Sequence, residues 1–124
     1  MWDGFNQRKF PRLKLGCQIS MTQGVRKEAI HGTTDNVGAG GVSLIQNQPL
    51  ERFSTCHIRL ELSKGQPPIE CDARVVWVIP RKDPAAREAV FDTGLEFVNL
   101  PAEESSRFQA YLKDALAKGF QALA

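Results

Sequence analysis

The sequence predicts a mainly β protein, a six-stranded antiparallel β-barrel of the small split-barrel kind with one C-terminal α-helix. Three observations lead to this fold class. Short runs of alternating apolar and polar residues recur along most of the chain, and connections rich in Gly, Pro and Asn separate them. Only the last segment changes to apolar spacings of three and four. The chain of 124 residues has the length of one ordinary domain.

The first three predicted strands surround a glycine-rich stretch. Over Leu13–Met21 every second residue is apolar, which indicates a strand with one buried face. The pattern over 27–34 indicates a weaker second strand, and a third strand is predicted over 42–46. We expect the glycines of Thr34–Leu44 to form a tight turn between these two strands, with Asn36 on the turn.

The other three strands are predicted over 56–62, 69–79 and 91–98. The run over 69–79 is the longest alternation in the chain, and its phase places Trp77 and Ile79 with the core residues. A tryptophan near a barrel mouth would alternatively offer a surface on which a ring stacks.

The final segment predicts an amphipathic helix over about 101–123, because its apolar residues recur at helical spacing. Pro101 suits the first turn of such a helix, and Glu103 and Glu104 complement the positive end of its dipole. We expect Asn99 to cap the helix and the apolar face to pack against the barrel.

Composition and motifs exclude several classes of function. The net charge of +2 is too small for bulk binding of a nucleic-acid polymer, so an anion site must be local. Three cysteines without a C-x-x-C pair, no signal peptide and no apolar run long enough to span a bilayer predict a cytoplasmic protein without membrane insertion. Cys17, Cys56 and Cys71 all lie on the apolar phase of their strands, which favours core packing. The sequence contains no catalytic motif and no metal-ligand spacing, so we expect neither an enzyme nor a cofactor.

Two short motifs carry the functional signal. The stretch R-K-F-P-R places Arg8 and Arg12 four residues apart, and N-V-G-A-G-G follows with Asn36, Gly38 and Gly41. Together they resemble the PilZ domain signature, R-x-x-x-R followed by [D/N]-x-S-x-x-G, although Gly38 stands where the family usually has serine. PilZ domains are bacterial receptors for the second messenger cyclic di-GMP. The resemblance continues through A-R-V-V-W-V and T-G-L-E-F and so covers nearly the whole chain.

This resemblance implies that Arg8, Arg12, Asn36, Gly38 and Gly41 bind cyclic di-GMP. The chemistry fits the ligand, because a guanidinium can bind O6 and N7 of guanine, stack on a base or hold a phosphate. An amide can bond a guanine edge, and glycine lets a base approach the backbone.

The site also predicts a mechanism of signalling. Residues 1–9 lack apolar periodicity, and we expect them to form a flexible arm that carries Arg8 and closes over the ligand, beside a single domain over 10–124. The rearranged arm would present a new surface to an unidentified downstream protein. One alternative is a PilZ-like adaptor in type IV pilus or flagellar motility that works without nucleotide. A small barrel for single-stranded nucleic acid is a second, but it needs exposed aromatic and basic residues across one face, which the strands lack.

Overall fold

A computed structural model of the chain describes residues 12–24, 29–62, 65–82, 88–119 and 122–123. The described residues form eight strands and one helix. In chain order these are β1 (Arg12–Leu13), β2 (Gln18–Thr22), β3 (Ile30–Gly38), β4 (Gly41–Gln46), β5 (Thr55–Leu60), β6 (Ile69–Arg81), β7 (Val90–Val98), α1 (Ala102–Ala117) and β8 (Ala122–Leu123).

Six of the strands form a closed antiparallel barrel, which confirms the predicted fold class. They follow the order β2-β5-β6-β7-β4-β3, and pairing between β2 and β3 closes the barrel. The two-residue strand β1 pairs with β3, and the two-residue strand β8 pairs with the other side of β1. Closure gives every one of the six strands two neighbours and so removes the exposed sheet edges.

The barrel interior is filled by apolar side chains from each of its six strands and from helix α1. The cysteines belong to this core, as predicted, and their thiols are free. The largest fully buried side chains are Phe108, Leu13, Met21, Leu44, Ile58, Leu60, Ile69, Leu95, Leu112, Val37, Val42 and Val75.

The first predicted strand is interrupted between β1 and β2, although its apolar residues still point inward. The Thr34 hydroxyl donates to the Leu15 carbonyl at 2.7 Å and accepts from the Cys17 amide at 2.7 Å. The Thr34 amide also donates to the Cys17 carbonyl at 2.9 Å. One buried threonine therefore replaces part of the strand ladder at this irregular segment.

Two bulges correct the sequence prediction. The pairing of β3 with β4 shifts between Thr34 and Asn36, and that of β6 with β7 shifts between Val75 and Trp77. Each bulge reverses the alternation of inward and outward side chains along its strand. Asn36 lies within strand β3, directly after the first bulge, rather than on a turn. Trp77 points out of the barrel, and Ile79 is 53% exposed, so their predicted core phase was wrong.

The glycine-rich turn is shorter than predicted. Strand β3 continues to Gly38 and β4 starts at Gly41, which leaves only Ala39 and Gly40 in the turn. None of these three glycines has a positive φ, since the glycines described with one are Gly24, Gly65 and Gly119.

The C-terminal helix α1 packs Phe108, Leu112 and Ala115 against the barrel. Pro101 occupies the N-cap position without a side-chain cap, so the predicted cap at Asn99 was wrong. The helix also ends at Ala117, not near 123, because the chain enters a left-handed turn at Gly119 with φ 98° and then forms β8. Among the described residues no helix is long and apolar enough to cross a membrane.

Candidate functional site

A row of paired residues crosses the outer face of the barrel from β3 to β6. Asn36 pairs with Ser43 on β4, Ser43 pairs with Gly94 on β7, and Gly94 pairs with Trp77 on β6. Directly paired residues share one face of a sheet, and their inward neighbours along β4 and β7 are fully buried. The two bulges therefore bring an amide and an indole to the same outer surface.

Arg12 extends this row from β1 through a chain of hydrogen bonds. One terminal nitrogen of its guanidinium donates to the Asn36 side-chain oxygen. The Asn36 amide nitrogen then donates to the Ser43 hydroxyl at 2.6 Å. Asn36 is only 8% exposed and Ser43 2%, so these bonds fix both side chains. The bond from Arg12 to the Asn36 oxygen fixes the guanidinium beside the amide. A guanidinium fixed in this way can bind an anion or the edge of a base.

Two glycines of the motif permit close approach rather than positive φ. A Cβ atom at Gly38 would lie 3.0 Å from Cγ of Arg12, so glycine leaves room for the arginine stem. A Cβ atom at Gly41 would lie 2.1 Å from the Leu95 carbonyl oxygen, which only glycine can accommodate. Gly38 thus serves the position of Arg12, whereas Gly41 serves the contact between β4 and β7.

At the other end of the row, Trp77 lies flat against a third glycine. A Cβ atom at Gly94 would come within 2.4 Å of the indole ring, so the ring covers the bare backbone of β7. The indole nitrogen donates to the Asp92 carboxylate at 3.2 Å. The Trp77 ring is thus held at one edge by Asp92, lies with one face on β7 and remains partly exposed.

The sequence analysis found part of this arrangement. The structure brings Arg12, Asn36 and Gly38 together and places Gly41 on the same face, while Arg8 lies outside the described residues. Ser43 and Gly94 were missed, and the outward orientation of Trp77 was given only as the alternative to a core position. Ser43 had a signal, since it is a polar residue between the buried Val42 and Leu44 of a strand.

The described residues place polar and aromatic groups on the outer face of the barrel and thiols in its core. Among them no group of three or more His, Cys, Asp or Glu side chains could hold a metal ion. Burial raises the pKa of Cys56 to about 11 and that of Cys71 to about 12, so both thiols stay protonated near neutral pH. The outer face carries the Arg12 guanidinium, held by the Asn36 amide, and the partly exposed Trp77 indole, and in proteins generally guanidinium and aromatic groups bind phosphates and bases.

Comparison with known proteins identifies relatives. The family model of the PilZ domain matches residues 6–114. None of the curated proteins matches the chain. Among solved structures, the PilZ domain of YcgR from Escherichia coli with c-di-GMP is 13% identical, with a TM-score of 0.69, and the match covers 90% of this chain and 95% of that one.

Two longer proteins have the same fold. The K. pneumonia MrkH–c-di-GMP complex is 18% identical with a TM-score of 0.74, and the match covers 90% of this chain and 52% of MrkH. The Bacillus subtilis inhibitor of motility (MotI/DgrA) is 16% identical with a TM-score of 0.72, and the match covers 91% of this chain and 52% of MotI. The chain thus spans about half the length of these two proteins, and at such low identity the likeness concerns the fold alone.

Proposed function

Because this chain belongs to the PilZ domain family, we propose that it is a non-enzymatic receptor that binds cyclic di-GMP on the outer face of its barrel. One observation supports this most directly: Arg12, Asn36 and Ser43 form a hydrogen-bonded chain on that face. The similar structures of YcgR and MrkH hold c-di-GMP, which agrees with the same ligand class.

The proposed roles follow from the chemistry of each side chain. Arg12 and Arg8 bind phosphate oxygens or the O6 and N7 edge of guanine, and a guanidinium does so with two bonds where lysine has a point charge. Asn36 holds Arg12 in position through its side-chain oxygen. Gly38 and Gly41 support the site indirectly, because the absence of a side chain leaves room for the Arg12 stem at the first and for the Leu95 carbonyl at the second.

Trp77 supplies the second end of the site. Three strand spacings separate Asn36 on β3 from Trp77 on β6, or about 14 Å at the usual distance between neighbouring strands. This span suits a ligand with two bases and two phosphates, one base stacked on the indole and the phosphates near Arg12. Stacking of one base on an aromatic ring contributes about 1–3 kcal/mol.

Calorimetric titration with cyclic di-GMP tests the proposal. We expect Arg8→Ala and Arg12→Ala each to lose about 1–3 kcal/mol, roughly ten- to a hundredfold in affinity. Arg12→Lys retains the charge but not the guanidinium fork, so it should also bind more weakly. The matched control is Arg59→Ala. Arg59 is an exposed arginine on strand β5 that forms an ion pair with Glu61, so its removal should leave the affinity for cyclic di-GMP unchanged.

The same titration has a second readout at Trp77. In a Trp2→Phe background Trp77 is the remaining tryptophan, and a stacked guanine should quench its fluorescence with the same dissociation constant as the heat signal. GTP and a single-stranded oligonucleotide serve as competing ligands. Equal binding of all three, or no effect of either arginine substitution in folded protein, would contradict the proposed site.

We propose that the segment before β1 transmits the binding of cyclic di-GMP to a downstream protein. Strand β1 pairs with β3 at Leu13 and with β8 through both of its residues, so it links the motif arginine to the C-terminal strand. A rearrangement of residues 1–9 around the ligand would then alter a surface that a downstream protein contacts. If cyclic di-GMP fails to bind, the nucleotide-independent adaptor role becomes the better account.

A further inference from the structure

The loop between β4 and β5 exposes an aromatic side chain on a strained backbone. Phe53 has a φ of 69°, in the left-handed region that bulky residues rarely adopt. Its side chain is also 62% exposed, so burial does not compensate for this conformation. A residue held in a sparsely populated conformation with most of its surface exposed is a reason to look for a binding role.

The surrounding hydrogen bonds hold Phe53 rigidly in place. Its amide donates to the Val75 carbonyl at 2.6 Å, next to the bulge of β6. The Ser54 hydroxyl donates to the Glu51 carbonyl at 2.5 Å and accepts from the Gln23 side chain at 2.7 Å. The ring is therefore presented by a fixed turn, which lowers the entropy lost when a partner covers it.

An arginine lies against this ring, and an exposed acid precedes that arginine in the chain. The guanidinium carbon of Arg52 lies 4.7 Å from the centre of the Phe53 ring, and its Nε donates to the Val76 carbonyl at 3.3 Å. Glu51 and Arg52 are both exposed. The three residues Glu51, Arg52 and Phe53, here called the E-R-F surface, thus combine an acid, a base and an aromatic ring.

We propose that the E-R-F surface binds a second copy of this chain through a two-fold symmetric contact. A two-fold contact joins the same patch on both subunits, so the patch must be complementary to itself. The E-R-F surface satisfies this condition, because Glu51 of each copy meets Arg52 of the other while the two Phe53 rings pack at the axis. An aromatic ring flanked by arginine is also the composition enriched at the centres of interfaces.

A second exposed apolar residue lies on β6, the strand that Arg52 contacts. Three large hydrophobic residues are substantially exposed in the described part of the chain, and Ile79 is one of them, at 53%. It lies three residues beyond Val76 on β6, or about 10 Å along the strand from the residue that Arg52 contacts. The third, Leu116, lies on helix α1 and provides a matched control.

Sedimentation equilibrium of the nucleotide-free chain, from micromolar to millimolar concentration, tests the contact. The wild type should show a reversible monomer–dimer equilibrium, weak because the patch is small. Phe53→Gly should weaken the dimer at least tenfold without lowering the melting temperature, because glycine adopts the left-handed conformation without strain. Leu116→Ser should leave the dimer unchanged.

Charge reversal provides the sharper test. Arg52→Glu places two acids on each copy and should abolish the dimer, whereas Glu51→Arg combined with Arg52→Glu restores both cross-contacts and should recover it. A wild type that stays monomeric throughout would overturn the proposal, and so would a double variant that dimerises no better than Arg52→Glu. Because the measurement uses no nucleotide, its outcome is independent of whether the chain binds cyclic di-GMP.

Discussion

The barrel has a regular side and a bulged side, and they perform different tasks. On the regular side, strand β5 alternates without interruption between exposed and buried residues, and all six of its residues pair in register with β6. On the bulged side, β3 and the second half of β6 each lose register once. The regular side supplies core, whereas the bulged side carries the row from Asn36 to Trp77.

The difference shows how a small barrel can gain an outer site without losing its core. A strand without a bulge would keep one phase along its whole length, and side chains after residue 35 or 76 would face the other way. The bulges reverse the phase locally, while Val37 and Leu95 remain fully buried beneath the site. Glycines on the outer surface then let Arg12 and Trp77 lie against the backbone.

We expect the largest loss of stability from a substitution on the bulged side at Gly41, where a Cβ atom has no room. Gly41→Ala would place a Cβ atom 2.1 Å from the Leu95 carbonyl oxygen and 3.2 Å from Cα of Glu96. Since both neighbours are backbone, strands β4 and β7 must separate, and we expect a loss of about 4 kcal/mol or more in the free energy of unfolding.

Chemical denaturation measures this loss, and Gly40→Ala is its matched control. No atom lies within 4 Å of a Cβ at Gly40, and its φ is not positive, so this variant should remain within about 0.5 kcal/mol of the wild type. Similar stability of the two variants would contradict the close approach of β4 to β7.

A substitution on the regular side should separate stability from binding. Ile58 is fully buried on β5, and Ile58→Ala should lower the free energy of unfolding by roughly 3 kcal/mol through lost burial and a cavity. Because β5 contributes nothing to the row on the outer face, the affinity of the folded fraction for cyclic di-GMP should stay within about twofold. Calorimetry well below the melting temperature compares the two. A tenfold loss of affinity would show that the two sides are not independent.

The sequence predicted the side-chain orientations of the regular side better than those of the bulged side, for a physical reason. In β5 the alternation of Cys56, Ile58 and Leu60 with polar residues has only one phase that buries the apolar set, so the prediction was right. At the two bulges the sequence does not alternate between apolar and polar residues, so it does not indicate which side chains point inward. Residues 75–79 are all apolar, and residues 33–36 are all polar, so either register fits.

The candidate site was predicted in part for the same reason. The resemblance to the PilZ signature named Arg12, Asn36 and Gly38, but the bond between Arg12 and Asn36 joins residues 24 positions apart and requires strand pairing. The end of the helix had a signal in Gly119, although Phe120 continued the helical spacing and favoured a longer helix. Whether Arg8 takes part stays a prediction, since it lies outside the described residues.

The smallest expected effect concerns the position where this chain departs from its family's signature. Gly38→Ser would place Cβ 3.0 Å from Cγ of Arg12, and the next atom, Cα of Arg12, is at 3.7 Å. The φ of Gly38 is not positive, so the backbone accepts a side chain and only the flexible arginine stem must move by a few tenths of an ångström.

Two opposing effects then decide the affinity for cyclic di-GMP. The new hydroxyl adds one hydrogen bond beside Arg12, worth about 0.5–1.5 kcal/mol, while displacement of the stem weakens a charge-assisted bond to Asn36 without breaking it. We expect the hydroxyl to prevail and the affinity to rise about two- to tenfold. Gly38→Ala adds the same Cβ without the hydroxyl, so it should bind no more tightly than the wild type. If both variants bind equally, the hydroxyl contributes nothing, and the glycine here is equivalent to the family's serine.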